Sequence, residues 1–366
     1  MPILSSPFVA MNAAGNTHEE EGPSLASLIA QVALRQDLSV EQAEAAFTTV
    51  MQGRASVIQI AALLVGLRTK GEAPEEVAGG VRAMRGAMIP VEASADPRPV
   101  VDTCGTGGGA VTTFNISTAA ALLAAGAGVR IAKHGNRSFT SRCGSADVLE
   151  ALDVPVEMSP EAMAEVLAEA GIVFMFAPLL HPAMRHVIPV RRELGMSTIM
   201  NVLGPLTNPA SARRQVVGVA DPALLHLIAR ALLTLGHDHA LVVHGQPGMD
   251  ELSPLAPTEV LEVKNGRLNA TTLDPQETFG WKGFDADGLA GRDPDHNATV
   301  VRGVLSGEVG GVARAAVVLN AGAAIYVAGL EPSLEKGVAR AESVLDEGRG
   351  MEALARLREA TRHATA

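Results

Sequence analysis

Cysteine and aromatic residues are scarce in this sequence, and acidic residues outnumber basic ones. The 366 residues include two cysteines, Cys104 and Cys143, and 3% aromatic residues, and the formal net charge is −11. Two cysteines so far apart exclude a disulfide scaffold and a CxxC metal site, and they fit a reducing cytosol. Because a nucleic-acid-binding protein needs a basic face with aromatic side chains, we expect no nucleic-acid partner.

Targeting and membrane signals are also missing. The first lysine or arginine is Arg35, whereas a signal peptide begins with a positively charged region. By inspection, no apolar run approaches the length of a membrane span. We therefore expect a cytoplasmic protein without a membrane partner.

The pattern of apolar residues changes along the chain and predicts three regions. Residues 1–23 lack periodicity and are expected to form a mobile leader. Residues 24–96 show helical spacing, and Ser39 and Ser56 each begin a capping-box pattern, so this region is predicted to be a small all-helical domain. In residues 97–366, short β-rich runs alternate with helical segments, which predicts a larger α/β domain with a central, mostly parallel sheet.

Six runs in the third region carry the β-rich pattern of predicted strands. They are PVVDT, VRIAKHG, GIVFMFA, RQVVGVA, HALVVHG and AAVVLNAGAAIYVAG. A sheet with helices packed on it is therefore predicted from about residue 97 to the end of the chain.

A glycine-rich segment, DTCGTGGGAVTTFNIST (102–118), lies between the first predicted strand and a predicted helix. Such a turn exposes backbone N–H groups beside a helix N-terminus and favours anions. Gly105, Gly107 and Ala110 fit the dinucleotide pattern G-x-G-x-x-A, but the next strand carries Lys133 where an NAD site has an acidic residue. A Walker loop is excluded because no Lys-Ser/Thr pair follows at the required spacing.

The other interpretation of this segment is a tight turn without a ligand. The predicted helix start has three polar residues, Asn115, Ser117 and Thr118, whereas an N-cap requires one polar side chain. Lys133 and the run HGNRS come at the carboxyl end of the next strand, where open sheets bind ligands. These neighbours favour an anion-binding site.

Five motifs follow one another along the chain. They are GTGG…TFNIST, KHGNRS…GSADVLEAL, FAPLLHPAMRHVIPVRRELG, TIMNVLGPLTNP and VVHGQPGMDELSP. In this order they resemble the anthranilate phosphoribosyltransferase family, and the resemblance spans almost the whole chain. The resemblance implies a nucleoside phosphorylase/phosphoribosyltransferase-type fold and an enzyme of tryptophan biosynthesis, which joins anthranilate to 5-phosphoribosyl 1-pyrophosphate and releases pyrophosphate with Mg²⁺.

The resemblance implies residues for the donor, 5-phosphoribosyl 1-pyrophosphate. Breaking the anomeric C–O bond puts negative charge on the leaving pyrophosphate, so loop N–H groups, Lys133 and metal are expected to stabilise it. The implied donor site consists of Gly105, Gly108, Gly109, Thr113, Asn115, Ile116, Ser117, Thr118, Lys133, His134, Gly135, Asn136, Arg137, Ser138, Ser141 and Ser145.

The resemblance also implies metal and acceptor sites. Asp250 and Glu251, with Ser117, would hold two Mg²⁺ ions per subunit, and the catalytic residues would be Lys133, Asp250 and Glu251. Arg191 would bind the anthranilate carboxylate, whereas its neighbour Arg192 is expected to face solvent. The implied anthranilate site consists of Gly105, His134, Asn136, Pro178, His181 and Arg191.

The sequence departs from the family pattern at two places. Gly109 and Ala110 stand where the family usually has Asp and Gly, which affects the pyrophosphate and metal part of the site. Cys143 stands where relatives commonly have Ser, and neither Cys104 nor Cys143 is expected to be a catalytic thiol, because neither has an evident base.

Two other functions are considered. A pyrimidine nucleoside phosphorylase shares the architecture but would bind free phosphate and a nucleoside, and the runs KHGNRS, VRRELG and DELS favour the transferase. A non-enzymatic nucleic-acid-binding paralogue is disfavoured by the charge of −11. A homodimer formed through the helical domain is expected from the resemblance alone.

Overall fold

The computed structural model describes residues 23–93, 96–138 and 142–365. A small helical part precedes a larger α/β part with a seven-stranded, mostly parallel sheet. This arrangement confirms the predicted fold class. The leader predicted for residues 1–23 lies outside the described residues, except for Pro23.

The helical part begins where the sequence places helix-start signals. Ser39 and Ser56 each accept a backbone N–H three residues later, and the glutamine there bonds back, so both capping boxes are confirmed. Pro74 opens a further helix, followed by two glutamates in its first turn. The helices are α1 (Leu25–Ala33), α2 (Val40–Met51), α3 (Val57–Lys70) and α4 (Pro74–Ala87).

The sheet has the order β3-β2-β1-β4-β5-β6-β7, and the first five strands in this order are parallel. The second and third strands lie on one side of the first strand, and the fourth strand lies on its other side. This reversal of direction creates a switch point between β1 and β4. Ligands bind at the carboxyl edge of such a point in open α/β sheets. The strands are β1 (Val100–Gly105), β2 (Arg130–Gly135), β3 (Ile172–Phe176), β4 (Arg214–Gly218), β5 (His239–Gly245), β6 (Thr258–Lys264) and β7 (Arg267–Leu273).

Helices cover both faces of the sheet. One apolar core lies between one face of the sheet and the helices within residues 116–170 and 294–365, and the other joins the opposite face to the N-terminal helices. The remaining helices are α5 (Ile116–Gly126), α6 (Ser145–Ala151), α7 (Pro160–Ala170), α8 (Ala177–Leu180), α9 (Ile188–Leu194), α10 (Met200–Leu203), α11 (Leu224–Thr234), α12 (Pro275–Phe279), α13 (Pro294–Leu305), α14 (Gly311–Ala328), α15 (Leu334–Asp346) and α16 (Arg349–Thr365), with 3₁₀ helices at Pro182–His186, Gly204–Leu206 and Ala286–Leu289.

Short helices from the middle of the chain pack on the N-terminal helices. Helix α3 contacts α9, α4 contacts α10, and α2 contacts the 3₁₀ helix Pro182–His186. The segment that carries Arg191 therefore packs against the helical part.

The run predicted as the last strand is helical, so that prediction is wrong. Residues 315–329 fall within α14 and its C-cap, and this helix is surrounded by core on nearly all sides. A run that is apolar all round lacks the alternation that separates a strand from a buried helix. By length and composition Gly311–Ala328 is also long enough to cross a membrane, which corrects the expectation from inspection, but 78% of it is buried inside the protein.

A β-hairpin at the edge of the sheet was not predicted. Strands β6 and β7 are joined by Asn265 and Gly266, whose φ angles are 52° and 71°. Both angles suit a type I′ turn, for which Asn-Gly is the preferred pair. The dipeptide between two alternating runs was the signal that would have identified the hairpin.

The capping box of α3 makes a testable contribution to stability. Ser56 Oγ accepts the Gln59 N–H at 3.2 Å, so Ser56→Ala is expected to lower the free energy of unfolding by about 1 kcal/mol. Ser56→Asp keeps an acceptor at this position and is expected to stay close to the native protein. Urea denaturation measures both, and an equal loss in both variants would contradict the role of the cap.

Candidate active site

A cavity of about 620 Å³ opens at the carboxyl edge of the sheet. The loop after β1, the end of β2 and the turn after β5 form its walls, so it lies at the switch point. Most of the predicted donor and metal residues lie on these walls. They are Gly105, Gly108, Gly109, Thr113, Asn115, Ile116, Ser117, Thr118, Lys133, His134, Gly135, Asn136, Ser145, Asp250 and Glu251.

The turn after β5 brings Asp250 and Glu251 across the ends of three strands. Each strand ends in a glycine at the point of contact. A Cβ on Gly218 would overlap the Asp250 carbonyl oxygen, one on Gly245 would meet the Glu251 carbonyl oxygen, and one on Gly105 would meet the Asp250 carboxylate. The acidic turn can therefore lie this deep only because these strand ends have no side chains.

The acidic turn also holds the glycine loop. Gly107 donates its N–H to Asp250 Oδ2 at 2.8 Å, and Ala110 donates its N–H to the Gly248 carbonyl at 2.8 Å. Gly107 has a φ of 72°, a left-handed conformation that favours glycine. One N–H group predicted to face a ligand thus binds the protein's own carboxylate.

The polar residues at the start of α5 do not cap the helix with their side chains. Asn115 occupies the N-cap position without a side-chain cap bond, and Ser117 donates its N–H to Glu251 Oε1 at 3.1 Å. Asn115 Oδ1 instead accepts from Asn297 Nδ2 at 3.0 Å. The buried Thr118 hydroxyl has no hydrogen-bond partner in the described part of the chain. Among these three residues, the Thr118 hydroxyl is therefore the group left free for a ligand within the described residues.

Lys133 lies at the bottom of the cavity with 4% of its surface exposed. Its ammonium donates to the Thr103 carbonyl at 2.6 Å and to Ser117 Oγ at 3.2 Å. Burial lowers the pKa of Lys133, and the carboxylate of Asp102 opposes that change. Asp102 is fully buried and accepts the His134 N–H at 3.2 Å, so it also holds the end of β2 that carries Lys133.

The two carboxylates of the acidic turn are a suitable place for a cation. Removal from bulk solvent raises the pKa of Asp250, and the same effect, together with the charge of Asp250, raises the pKa of Glu251 to about 8. Adjacent carboxylates in such a setting are stabilised by a bound cation. The described ranges contain no group of three or more His, Cys, Asp or Glu residues placed to hold a metal ion by themselves. A Mg²⁺ ion here would complete its shell with Ser117, water or ligand oxygens, which fits its preferences.

Two histidines form an uncharged wall beside the cavity. His134 Nε2 and His181 Nε2 are 3.2 Å apart. Burial lowers the pKa of His134 to about 3 and that of His181 to about 4, so both rings are neutral at pH 7. Pro178 lies nearby in α8 and is exposed. Asn136 and His134 thus lie on the cavity wall, and His181 lies beside His134 outside it.

Arg191 projects from α9 and is not part of the cavity wall. Its Nη2 donates to Asn201 Oδ1 at 3.4 Å, and burial lowers its pKa. It forms no ion pair with the described acidic residues. Arg192 is exposed, as its position in the sequence suggested.

The structure does not bring every predicted donor residue onto the cavity wall. Arg137 Nη2 donates to Glu150 Oε1 at 2.7 Å, and the Ser138 N–H donates to Asp147 Oδ2 at 3.3 Å. Both residues therefore contact α6 instead. Ser141 lies outside the described residues.

The cavity also contains residues that sequence reasoning did not assign to it. Arg142 directly follows the HGNRSFTS segment, and its place next to that motif was a usable signal. Gly291 comes from a distant segment, which pairs with the glycine loop through Thr113 and Ala290, and no pattern in the sequence marked it. The unassigned lining residues are Cys104, Gly107, Val111, Thr112, Phe114, Arg142, Cys143 and Gly291.

Burial disfavours the ionised form of both thiols on this wall. Burial and the charge of Asp102 raise the pKa of Cys104 well above its usual value. Burial raises the pKa of Cys143 to about 11. Because the thiolate is the nucleophilic form, these shifts favour the unreactive thiol at both positions.

Comparisons with known proteins agree with this geometry. The family model for the glycosyl transferase family, helical bundle domain, matches residues 26–88, and the model for its a/b domain matches residues 97–351. An anthranilate phosphoribosyltransferase of Rubrobacter xylanophilus is 52% identical over 91% of this chain and 96% of its own length.

Solved structures show the same relationship. The anthranilate phosphoribosyltransferase of Thermus thermophilus is 45% identical, with a TM-score of 0.86 over 92% of this chain and 99% of its own. The enzyme of Saccharomyces cerevisiae in complex with PRPP and Mg is 25% identical, with a TM-score of 0.82 over 93% and 98%. Matches of this extent show that the chain belongs to the anthranilate phosphoribosyltransferase family.

Proposed function

We propose that this protein transfers the 5-phosphoribosyl group from 5-phosphoribosyl 1-pyrophosphate to the amine of anthranilate and releases pyrophosphate, as a step of tryptophan biosynthesis. It is a glycosyltransferase of the pentosyltransferase type. The observation that carries the proposal is the meeting of the acidic turn, Lys133 and the glycine loop at the switch point of a chain from this family.

Magnesium belongs to the proposed reaction. The yeast relative is described in complex with PRPP and Mg, and this chain places two carboxylates and the Ser117 hydroxyl on one cavity. We propose that Asp250, Glu251 and Ser117 hold two ions per subunit. Bound there, Mg²⁺ would neutralise charge on the pyrophosphate.

The chain's own groups position the leaving group. Lys133 supplies a buried positive charge whose direction is set by Thr103 and Ser117. Gly108, Gly109 and Thr118 line the same wall, and the Thr118 hydroxyl has no hydrogen-bond partner among the described residues. Such fixed donors stabilise charge without reorganising during the reaction. We assign this part of the cavity to the donor, with Lys133, Asp250 and Glu251 as catalytic residues.

The acceptor region suits a neutral nucleophile. Neutral His134 and His181 cannot repel or protonate an aromatic amine at pH 7. Arg191, without an acidic partner among the described residues, is available for the anthranilate carboxylate. The amine attacks uncharged and loses its proton afterwards, so positioning does most of the catalytic work and no general base is required.

A direct assay separates this function from the alternatives. Purified protein with the donor and Mg²⁺ is expected to consume anthranilate, seen as a fall in its fluorescence. Phosphorolysis of uridine or thymidine is expected to be absent. The reverse result would favour the nucleoside phosphorylase, and tight nucleic-acid binding without either activity would favour the paralogue.

Three further properties stay proposals. The helical domain is proposed to span 24–96, joined by helices from about 181–200, with the donor-binding domain at 97–366. Packing of α3 on α9 supports that division. A homodimer and a cytoplasmic location are proposed from the family.

The acidic turn is expected to be essential for turnover but not for folding. Replacing Asp250 and Glu251 together with Ala is expected to lower kcat by orders of magnitude, because charge neutralisation of the leaving group is worth several kcal/mol. Thermal unfolding is expected to show an intact fold, and EDTA is expected to abolish native activity. Glu259→Ala, at an exposed position of β6, is the control, and a double variant with near-native activity would remove the metal assignment.

Arg191 is expected to serve the acceptor alone. Arg191→Ala removes a charge-assisted contact worth about 1.5 to 3 kcal/mol, so the KM for anthranilate is expected to rise roughly tenfold to a hundredfold. The KM for the donor is expected to change little, and Arg192→Ala provides the adjacent control. If the donor KM rose instead, Arg191 would belong to the other half of the site.

Gly109 is expected to influence the Mg²⁺ requirement. A Cβ on Gly109 would lie 2.9 Å from the Gly248 carbonyl oxygen and 3.6 Å from Asp250 Oδ1, so Gly109→Asp and Gly109→Asn both displace the loop slightly, and only Gly109→Asp adds a carboxylate beside the acidic turn. Repulsion between that carboxylate and pyrophosphate is expected to raise the donor KM roughly tenfold at low Mg²⁺, with recovery as Mg²⁺ increases. Gly109→Asn has similar size without the charge and is expected to lack this dependence. Equal Mg²⁺ profiles for all three proteins would contradict an electrostatic role.

A further inference from the structure

The charged side chains on the cavity wall differ in how many partners they have inside the protein. Among the described lining residues, two are basic, Lys133 and Arg142, and two are acidic, Asp250 and Glu251. Lys133 is bonded to Thr103 and Ser117 and lies beside a buried carboxylate. Much of its charge is therefore balanced inside the protein.

Arg142 differs from both the other arginine of its segment and the other cation of the site. It lines the cavity, is exposed, and has no ion pair or side-chain hydrogen bond within the described residues. Arg137, on the same segment, is bonded to Glu150 and also lies 5.4 Å from the Phe176 ring. Arg137 thus has a structural role through its bond to Glu150, whereas Arg142 lies on the cavity without a side-chain partner among the described residues.

The backbone next to Arg142 is well anchored. Asn115 Nδ2 donates to the Cys143 carbonyl at 3.4 Å, and the Gly144 N–H donates to Asp147 Oδ2 at 2.7 Å. The chain that follows Arg142 is therefore held between α5 and α6. This anchoring keeps the start of the arginine side chain at the cavity.

The acidic turn makes an additional cation necessary. A donor with phosphate groups at both ends meets two carboxylates at Asp250 and Glu251, and metal would balance only the phosphates it contacts. Resting on the proposed function, we infer that Arg142 binds a phosphate group of the donor directly, as a substrate-binding residue outside the implied family set. The planar guanidinium suits two phosphate oxygens at once.

Steady-state kinetics provide the first test. Arg142→Gln is expected to raise the donor KM about tenfold to a hundredfold with the anthranilate KM unchanged, because a charge-assisted contact is lost. Arg142→Lys is expected to recover part of the loss. Arg356→Gln, at an exposed position of α16, is the matched control and is expected to behave as the native protein. A donor KM for Arg142→Gln within twofold of native would overturn the inference.

Binding measurements show which phosphate group of the donor Arg142 contacts, and they test this inference separately from the proposed function. Calorimetry with Mg²⁺ and pyrophosphate, and separately with ribose 5-phosphate, is expected to show at least tenfold weaker binding of one of the two by Arg142→Gln. The probe that weakens identifies the end of the donor that Arg142 holds. Equal affinities of native and variant protein for both probes would refute the contact. Failure of native protein to consume anthranilate would refute the proposed function while leaving this comparison valid.

Discussion

Two neighbouring carboxylates at the bottom of a cavity are the constraint on which the rest of the site depends. Asp250 and Glu251 lie where three parallel strands end, and solvent exclusion raises the pKa of both. Charge at such a place must be balanced by hydrogen bonds, a buried cation or metal. The surrounding structure supplies the first two, because Gly107 and Ser117 donate their N–H groups to these carboxylates and Lys133 lies beside them.

The acidic turn therefore fixes the conformation of the glycine loop through hydrogen bonds. Glycines that end β1, β4 and β5 leave room for that turn, and its carboxylate then binds the loop. Asp102, one layer deeper, balances Lys133 and accepts the N–H of His134. The charged groups therefore follow one another from the interior to the cavity. Asp102 is buried deepest, Lys133 lies next to it, and the two carboxylates of the acidic turn lie on the cavity wall.

The two sides of the site differ in charge, and the difference matches two kinds of substrate. The proposed donor side is strongly charged, whereas the proposed acceptor side has neutral histidines and one arginine. An anionic donor needs fixed charges, while an aromatic amine must stay unprotonated to attack. Helices of the middle segment carry Arg191 and pack on the N-terminal helices, so the helical part positions the acceptor side.

Local patterns determined much of this protein, because helix caps and strand alternation act over a few residues. The capping boxes at Ser39 and Ser56, the strand–glycine–helix order and the family motifs were all readable in the sequence. Tertiary structure alone decided that 315–329 is a buried helix, since an all-apolar run has no local preference between helix and strand. It also decided that Gly291 joins the cavity and that Arg137 turns toward Glu150 while Arg142 lines the cavity, because contacts between distant segments leave no periodic trace in the chain.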